Sequence, residues 1–137
     1  MNTSLLDNFQ KPWCLIDSFT YRENEILSKK YVSYSDFFLL GHFKEYSVFP
    51  GMLMIEGLLQ SIEVANNKNL LNTNNHIPTE IQSRFLHPVF PGDIIHYSII
   101  VEKDYENKLV LKGIGKVNQR IVMKAKFTFQ KGVKDGD

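Results

Sequence analysis

The hydrophobic pattern of the chain centres on residues 52–62, where apolar side chains recur at helical spacing directly after Pro50-Gly51. A Pro-Gly pair gives the chain a sharp entry, so the sequence predicts a helix that begins at this point. Its apolar positions fall on nearly all sides, which predicts a helix that is buried. Glu56 would then be costly to ionise, unless its carboxylate is paired or has a raised pKa.

Alternating apolar and polar residues predict strands on both sides of this helix, separated by turn signals such as Glu23-Asn24 and Val117-Asn118. The predicted strands cover residues 13–21, 25–33, 79–90, 94–103, 108–116 and 119–129. The last four are expected to form an antiparallel meander. Two strands, one long helix and about four further strands predict an α+β fold in which the sheet curves round the helix. The other predictions are a short helix at 3–9, a turn at 35–38, a surface loop at 66–75 and a frayed end at 131–137.

Composition limits the classes of function. The 137 residues fit one domain, predicted to span 1–137, and the net charge of +1 argues against a nucleic-acid binder. Cys14 is the only cysteine, which excludes an intrachain disulfide and favours a reducing, cytoplasmic location. No basic leader and no apolar run of the roughly 18 residues needed for a membrane span is present, so an unexported protein without a membrane partner is expected. The histidines lack partners at metal-ligand spacing, and no metal is predicted.

His42, in the loop before the helix, and Glu56, on the helix, are the candidate chemical pair. A neutral imidazole is a base near neutral pH, and a carboxyl group among apolar side chains can be held protonated as an acid. Taken alone, His42 would be an ordinary loop histidine and Glu56 a solvated helix residue. Gln60 lies four residues beyond Glu56 and could orient its carboxylate, or could simply serve as a polar helix residue.

Three blocks of sequence carry a resemblance to a known family. The first is Gly41-His42-Phe43 with Val48-Phe49-Pro50-Gly51, followed by Leu53, Glu56 and Gln60. The second is 84–93, RFLHPVFPGD, and the third is 12–17, PWCLID. Together they resemble the 3-hydroxyacyl-acyl-carrier-protein dehydratases of the FabZ and FabA type. The resemblance implies the hot dog fold, a long central helix wrapped by a curved antiparallel sheet.

The resemblance also implies roles for individual residues. His42 would be the base and Glu56 the acid, contributed by opposite protomers of a dimer. Transfer through a water, or His42 carrying both proton transfers, stays open. The amide of Gly51 would bind the thioester oxygen, and the Val48 carbonyl would hold the imidazole. The expected substrate tunnel or its loop involves Phe43, Phe49, Pro50 and Leu59. No cofactor is expected, since the acyl chain would arrive on the phosphopantetheine of an acyl carrier protein, for which Arg84 is the first candidate contact.

Several positions depart from the family pattern. Lys44-Glu45 replaces a Pro-Gly pair and Ser47 replaces a proline. The backbone of the loop that carries His42 is therefore less restricted in conformation. Gly57 and Leu59 stand where the family has small alanines. The predicted function is dehydration of 3-hydroxyacyl thioesters, in fatty-acid synthesis or in a specialised polyene or polyketide pathway, and the altered loop favours the latter.

Two other functions stay open at this point. One is a non-catalytic or half-site partner subunit of a heterodimer, and the other is an acyl thioesterase on the same fold. A homodimer, a heterodimer with a related subunit, and a trimer of dimers are all compatible with the sequence.

Overall fold

The computed structural model describes residues 14–33, 48–71 and 77–130 of the chain. The elements in this part are β1 Ser18–Arg22, β2 Glu25–Tyr31, α1 Gly51–Asn67, β3 Glu80–Phe85, β4 Ile94–Asp104, β5 Lys108–Val117 and β6 Arg120–Gln130. The helix therefore begins at the predicted residue. The helix predicted at 3–9, the turn at 35–38 and the end at 131–137 lie outside the described residues.

Two of the predicted hairpins owe their turns to residues with positive φ. Glu23 and Asn24 have φ of 53° and 64°, and Asn118 and Gln119 have φ of 52° and 67°. Two successive residues with positive φ give a tight turn whose twist matches that of the flanking strands. Local sequence therefore sets the β1–β2 and β5–β6 connections.

The strands form one antiparallel sheet in the order β1-β2-β4-β5-β6-β3. β4, β5 and β6 make a meander as predicted. The prediction that β3 precedes them in the same meander was wrong, because β3 is not a neighbour of β4. β3 pairs with β6 at the sheet edge, with Phe85 opposite Met123. The strand also ends at Phe85 rather than Phe90, because Pro88 and Pro91 in the following segment lack the amide protons that a ladder requires. That segment is too long for a tight hairpin and instead crosses to β4.

The core lies between the helix and the sheet. Leu58, Leu111 and Phe127 are among its fully buried side chains. One curved sheet cannot cover a helix that is apolar on nearly all sides, so the predicted burial is met on the sheet side, and its completion by a second subunit stays a prediction. Met52 is 71% exposed, and it shares an exposed row with three polar residues. We call this row the open stripe, and its members are Met52, Glu56, Glu63 and Asn67.

Strand β3 continues the uncovered surface. All six of its residues are exposed. Ile81 and Phe85 lie opposite the buried Phe127 and Met123, so they are on the helix side of the sheet, yet they are 41% and 46% exposed. The edge strand and the open stripe together leave apolar surface for a second subunit to cover, and dimerisation remains a prediction.

Buried polar groups lie between the helix and the sheet. Ser61 Oγ donates to the Gly57 carbonyl at 2.9 Å, so the 2.7 Å bond between the Ser28 and Ser61 hydroxyls has Ser28 as donor. The hydroxyl of Tyr97 has no hydrogen-bond partner among the described residues, although the side chain is 1% exposed. Complete burial raises the pKa of Tyr97. A methyl group built on Gly57 would lie 3.0 Å from the Tyr97 hydroxyl oxygen.

Candidate functional site

The site is organised around the start of α1. Pro50 is the N-cap residue in an extended conformation, no side chain among the described residues caps the helix, and the first turn has no acidic residue. The Leu53 amide donates to the Pro50 carbonyl at 3.0 Å. A helix that begins without a side-chain cap keeps amide protons and the positive end of its dipole available for a ligand. This is the chemical property that the predicted role of Gly51 requires.

The segment before the helix is held by the second sequence block. Phe49 is 1% exposed, and its amide donates to the Val89 carbonyl at 2.7 Å. Asp93 closes the following turn by accepting from the Phe90 amide at 2.8 Å. The sequence placed Phe49 and Pro50 at a tunnel or loop. The structure puts Phe49 in the core and Pro50 beside it, half-buried, at the helix start.

An open groove of about 450 Å³ lies at this end of the helix. Its lining residues are Val48, Phe49, Gly51, Met52, Met54, Phe85, Leu86, His87 and Pro88. Phe85 contacts Gly51 most closely, since a methyl group built on Gly51 would lie 2.8 Å from Cε1 of its ring. Sequence reasoning missed Phe85, although it belongs to the second block. The missing information was the pairing of β3 with β6, which brings the strand to the helix start.

Glu56 lies on the open stripe and is exposed in the single chain. Partial desolvation of its carboxylate nevertheless raises the pKa of Glu56 above its ordinary value, and the negative charge of Glu63 adds to the increase. Both effects disfavour the charged form. A carboxyl group that retains its proton to higher pH is suited to act as a general acid.

Gln60 is 5% exposed, and its Oε1 accepts a hydrogen bond from the Leu15 amide at 2.7 Å. The residue thus ties the middle of the helix to the third sequence block, a role that its spacing from Glu56 did not predict. Orientation of Glu56 by Gln60 remains a prediction. Leu59 and Val48 are half-buried.

His42 and Phe43 lie outside the described residues, as does the altered stretch 44–47. The pairing of His42 with Glu56 is therefore still a prediction. Among the described residues, no group of three or more His, Cys, Asp and Glu side chains is placed to hold a metal ion. Across the same residues, no helix has the length and apolarity needed to cross a membrane.

Arg84 is exposed on the outer face of the sheet, directly opposite Lys124. Lys112 and Lys126 form a second directly opposed pair on the neighbouring strands. We call these four residues the basic block. They line a shallow groove of about 320 Å³, and Lys126 also pairs with Glu102 at 3.3 Å. Like charges directly opposite each other on a sheet are destabilising, so the fold itself does not require this arrangement.

The architecture of one helix packed on an antiparallel sheet is that of the hot dog fold, as predicted. The PaaI protein of E. coli has this fold, with a TM-score of 0.67 at 16% identity over 93% of this chain and 86% of that one. The dehydratase heterocomplex ApeI:P from Xenorhabdus doucetiae is equally similar, with a TM-score of 0.67 at 15% identity over 93% of this chain and 91% of that one. At such low identities these likenesses concern the fold alone.

Sequence comparison gives the family. The model of the FabA-like domain matches residues 15–126. A protein of Fusobacterium nucleatum named 3-hydroxyacyl-acyl-carrier-protein dehydratase FabZ is 31% identical over 121 residues, covering 86% of each chain. A protein of the same name from Thermotoga maritima is 33% identical over 119 residues, covering 84% of each. The chain belongs to the FabA-like family, which confirms the resemblance stated from its sequence blocks.

Proposed function

We propose that the protein removes water from 3-hydroxyacyl thioesters carried by an acyl carrier protein and produces trans-2-enoyl thioesters. Membership of the FabA-like family and the similarity to dehydratases named FabZ support this function. The structural observation that carries it is Glu56, an acid with a raised pKa on the helix whose uncapped start lies at the apolar groove.

In the proposed reaction, His42 removes a proton from C2 of the substrate. The electron pair of that C–H bond forms the C2–C3 double bond, and the bond from C3 to its hydroxyl oxygen breaks. Glu56 donates a proton to this oxygen, which leaves as water. Negative charge develops on the thioester oxygen during the reaction, and the amide of Gly51 stabilises it. The Val48 carbonyl and Gln60 have the proposed supporting roles of holding the imidazole and the carboxylate.

The site is proposed to form between two subunits, with His42 from one and Glu56 from the other. Glu56 lies on a stripe that this chain leaves open, beside the uncovered side of β3. A second hot-dog subunit over this surface would bury apolar side chains and protect the strand edge. The subunit is either another copy of this chain or a related chain.

Incubation of the purified protein with 3-hydroxyacyl carrier proteins tests the proposed function. Saturated and unsaturated chains of several lengths are compared, and the products are identified by mass. We expect the loss of one water from at least one substrate. Release of free acid and carrier thiol would instead establish a thioesterase. No turnover, either alone or with a related hot-dog subunit, would contradict a catalytic role.

The basic block is the proposed contact for the carrier protein, whose surface the family implies to be acidic. Four cations around one groove provide the complementary charge, and Arg84 occupies its edge-strand side. Opposite potentials mainly accelerate encounter between partners.

Reversing two of these charges, in a variant with Arg84→Glu and Lys124→Glu, is expected to lower kcat/KM for a carrier-bound substrate by about tenfold at low salt. Turnover of the same acyl group on free pantetheine should be unchanged, because that substrate lacks the acidic protein. Lys29→Glu is the matched control, since Lys29 is an exposed cation on the distant strand β2. Equal losses with both substrates, or an equal loss in the control, would rule out this docking surface.

A further inference from the structure

Phe85 occupies the space above Gly51. A methyl group built on Gly51 would lie 2.8 Å from Cε1, 2.9 Å from Cζ and 3.0 Å from Cδ1 of this ring. These three atoms form one edge of the ring, so the edge of Phe85 packs on the backbone of the first helical residue. The ring of Phe85, in the same subunit, therefore fills the space that a side chain at position 51 would need.

The ring borders open space rather than the packed core. Phe85 is 46% exposed, and it forms part of the open groove together with Met52, which is 71% exposed. It is the last residue of β3, which pairs with β6 alone among the described strands. The ring is therefore held on one side by Gly51 and faces the groove on the other.

We infer that Phe85 is the residue that limits the size of the substrate at C2. The inference rests on the proposed function, in which the thioester oxygen binds at the amide of Gly51. C2 is bonded to the same carbonyl carbon as that oxygen, and we place it on the side of Gly51 that the ring of Phe85 covers. A hydrogen on C2 fits in this space, whereas a methyl branch meets the edge of the aromatic ring. Phe85 thus selects unbranched 3-hydroxyacyl thioesters over those with a methyl group at C2.

The experiment compares 3-hydroxyacyl carrier proteins with and without a 2-methyl group, using Phe85→Ala, Phe85→Leu and the wild type. Phe85→Ala is expected to raise the ratio of kcat/KM for the methylated over the unmethylated substrate by about tenfold or more, because a pocket typically discriminates one methyl group by roughly 10–200-fold. Phe85→Leu should give a smaller increase. Ile81→Ala is the matched control, since Ile81 lies four residues earlier on the same side of β3 and is 41% exposed. Its ratio should stay within about twofold of the wild-type value.

Binding is measured in parallel with unreactive ketone analogues, in which a CH₂ group replaces the sulfur and the 3-hydroxyl is absent. If the wild type binds these analogues but forms no enoyl product from the 3-hydroxyacyl carrier proteins, the proposed dehydration fails, while the ratio of binding between analogues with and without the 2-methyl group still tests Phe85. An unchanged ratio in folded Phe85→Ala, an equal change in Ile81→Ala, or no binding by the wild type would overturn the inference. Should Phe85→Ala fail to fold, an unchanged ratio in Phe85→Leu has the same meaning.

Discussion

Replacing Glu56 by glutamine is expected to lower the rate of dehydration by about 100-fold or more, the usual contribution of a positioned general acid. The amide has nearly the same shape as the carboxyl group but cannot donate a proton to the departing hydroxyl. His42→Ala should abolish the reaction, because it removes the base. Single-turnover rates with carrier-bound substrate measure both effects. A Glu56→Gln variant with wild-type turnover would eliminate Glu56 as the acid.

The same substitution is expected to make the folded protein more stable at neutral pH. Because the pKa of Glu56 is raised in the folded state, the proton favours folding, and stability decreases as the pH rises from the unfolded-state pKa through the folded-state pKa. Glutamine is neutral throughout this range, so the variant does not lose folding stability through ionisation at this position. Urea denaturation at pH 4 and pH 7 should therefore show a gain for Glu56→Gln that is larger at pH 7. A loss of both activity and stability would instead indicate a structural residue.

Glu63→Gln provides the matched control on the same helix stripe. It removes a second exposed carboxylate, and activity should persist because Glu63 has no proposed chemical role. Since the charge of Glu63 contributes to the raised pKa of Glu56, its removal should lower that pKa. The acid then loses its proton at lower pH, and the alkaline limb of the kcat/KM profile should move to lower pH. A shift in the opposite direction would contradict the assignment of Glu56 as the acid.

Replacing Phe49 by alanine is expected to lower the free energy of unfolding by about 3–5 kcal/mol, as for other large aromatic side chains removed from a core. Phe49 is 1% exposed, and its backbone joins the segment before the helix to Val89. The loss of the ring leaves a cavity beneath the groove and loosens the residues that lead into Gly51. Urea denaturation gives the change in free energy.

Phe90→Ala serves as the control for this prediction. Phe90 belongs to the same connection but is 44% exposed, so its removal leaves little cavity. The hydrogen bond from its backbone amide to the Asp93 carboxylate does not involve the ring, so it survives the substitution. A loss below about 1 kcal/mol is expected for this variant. Equal losses in the two variants would show that the core does not depend on Phe49.

Features fixed by neighbouring residues could be predicted from the sequence. The helix start follows from Pro50-Gly51, and the β1–β2 hairpin follows from Glu23-Asn24, whose positive φ values form the turn. The place of β3 could not be predicted in this way. Its contact with β6 joins residues such as Phe85 and Met123 that are far apart in the chain. Without that pairing, Phe85 had no visible connection to Gly51.

The candidate site shows the same division between local and distant effects. Helical spacing suggested that Gln60 orients Glu56, which stays a prediction, but it gave no sign of the hydrogen bond from the amide of Leu15, which lies 45 residues away in sequence. Hydrophobic periodicity suggested that Glu56 is buried, yet burial of the open stripe depends on a second subunit that one chain does not contain. The roles of His42 and of 44–47 remain predictions.

The close packing of Gly57 against Tyr97 limits the order in which this helix can change during evolution. Alanine favours a helix over glycine by about 1 kcal/mol, so a mutation to alanine at position 57 should be advantageous by itself. Its methyl group would nevertheless lie 3.0 Å from the Tyr97 hydroxyl oxygen and 3.1 Å from Cε2. The gain therefore requires either a shift of the Tyr97 ring by a few tenths of an ångström or a smaller side chain at position 97. The two positions are therefore expected to be epistatic, although they belong to different elements of the fold.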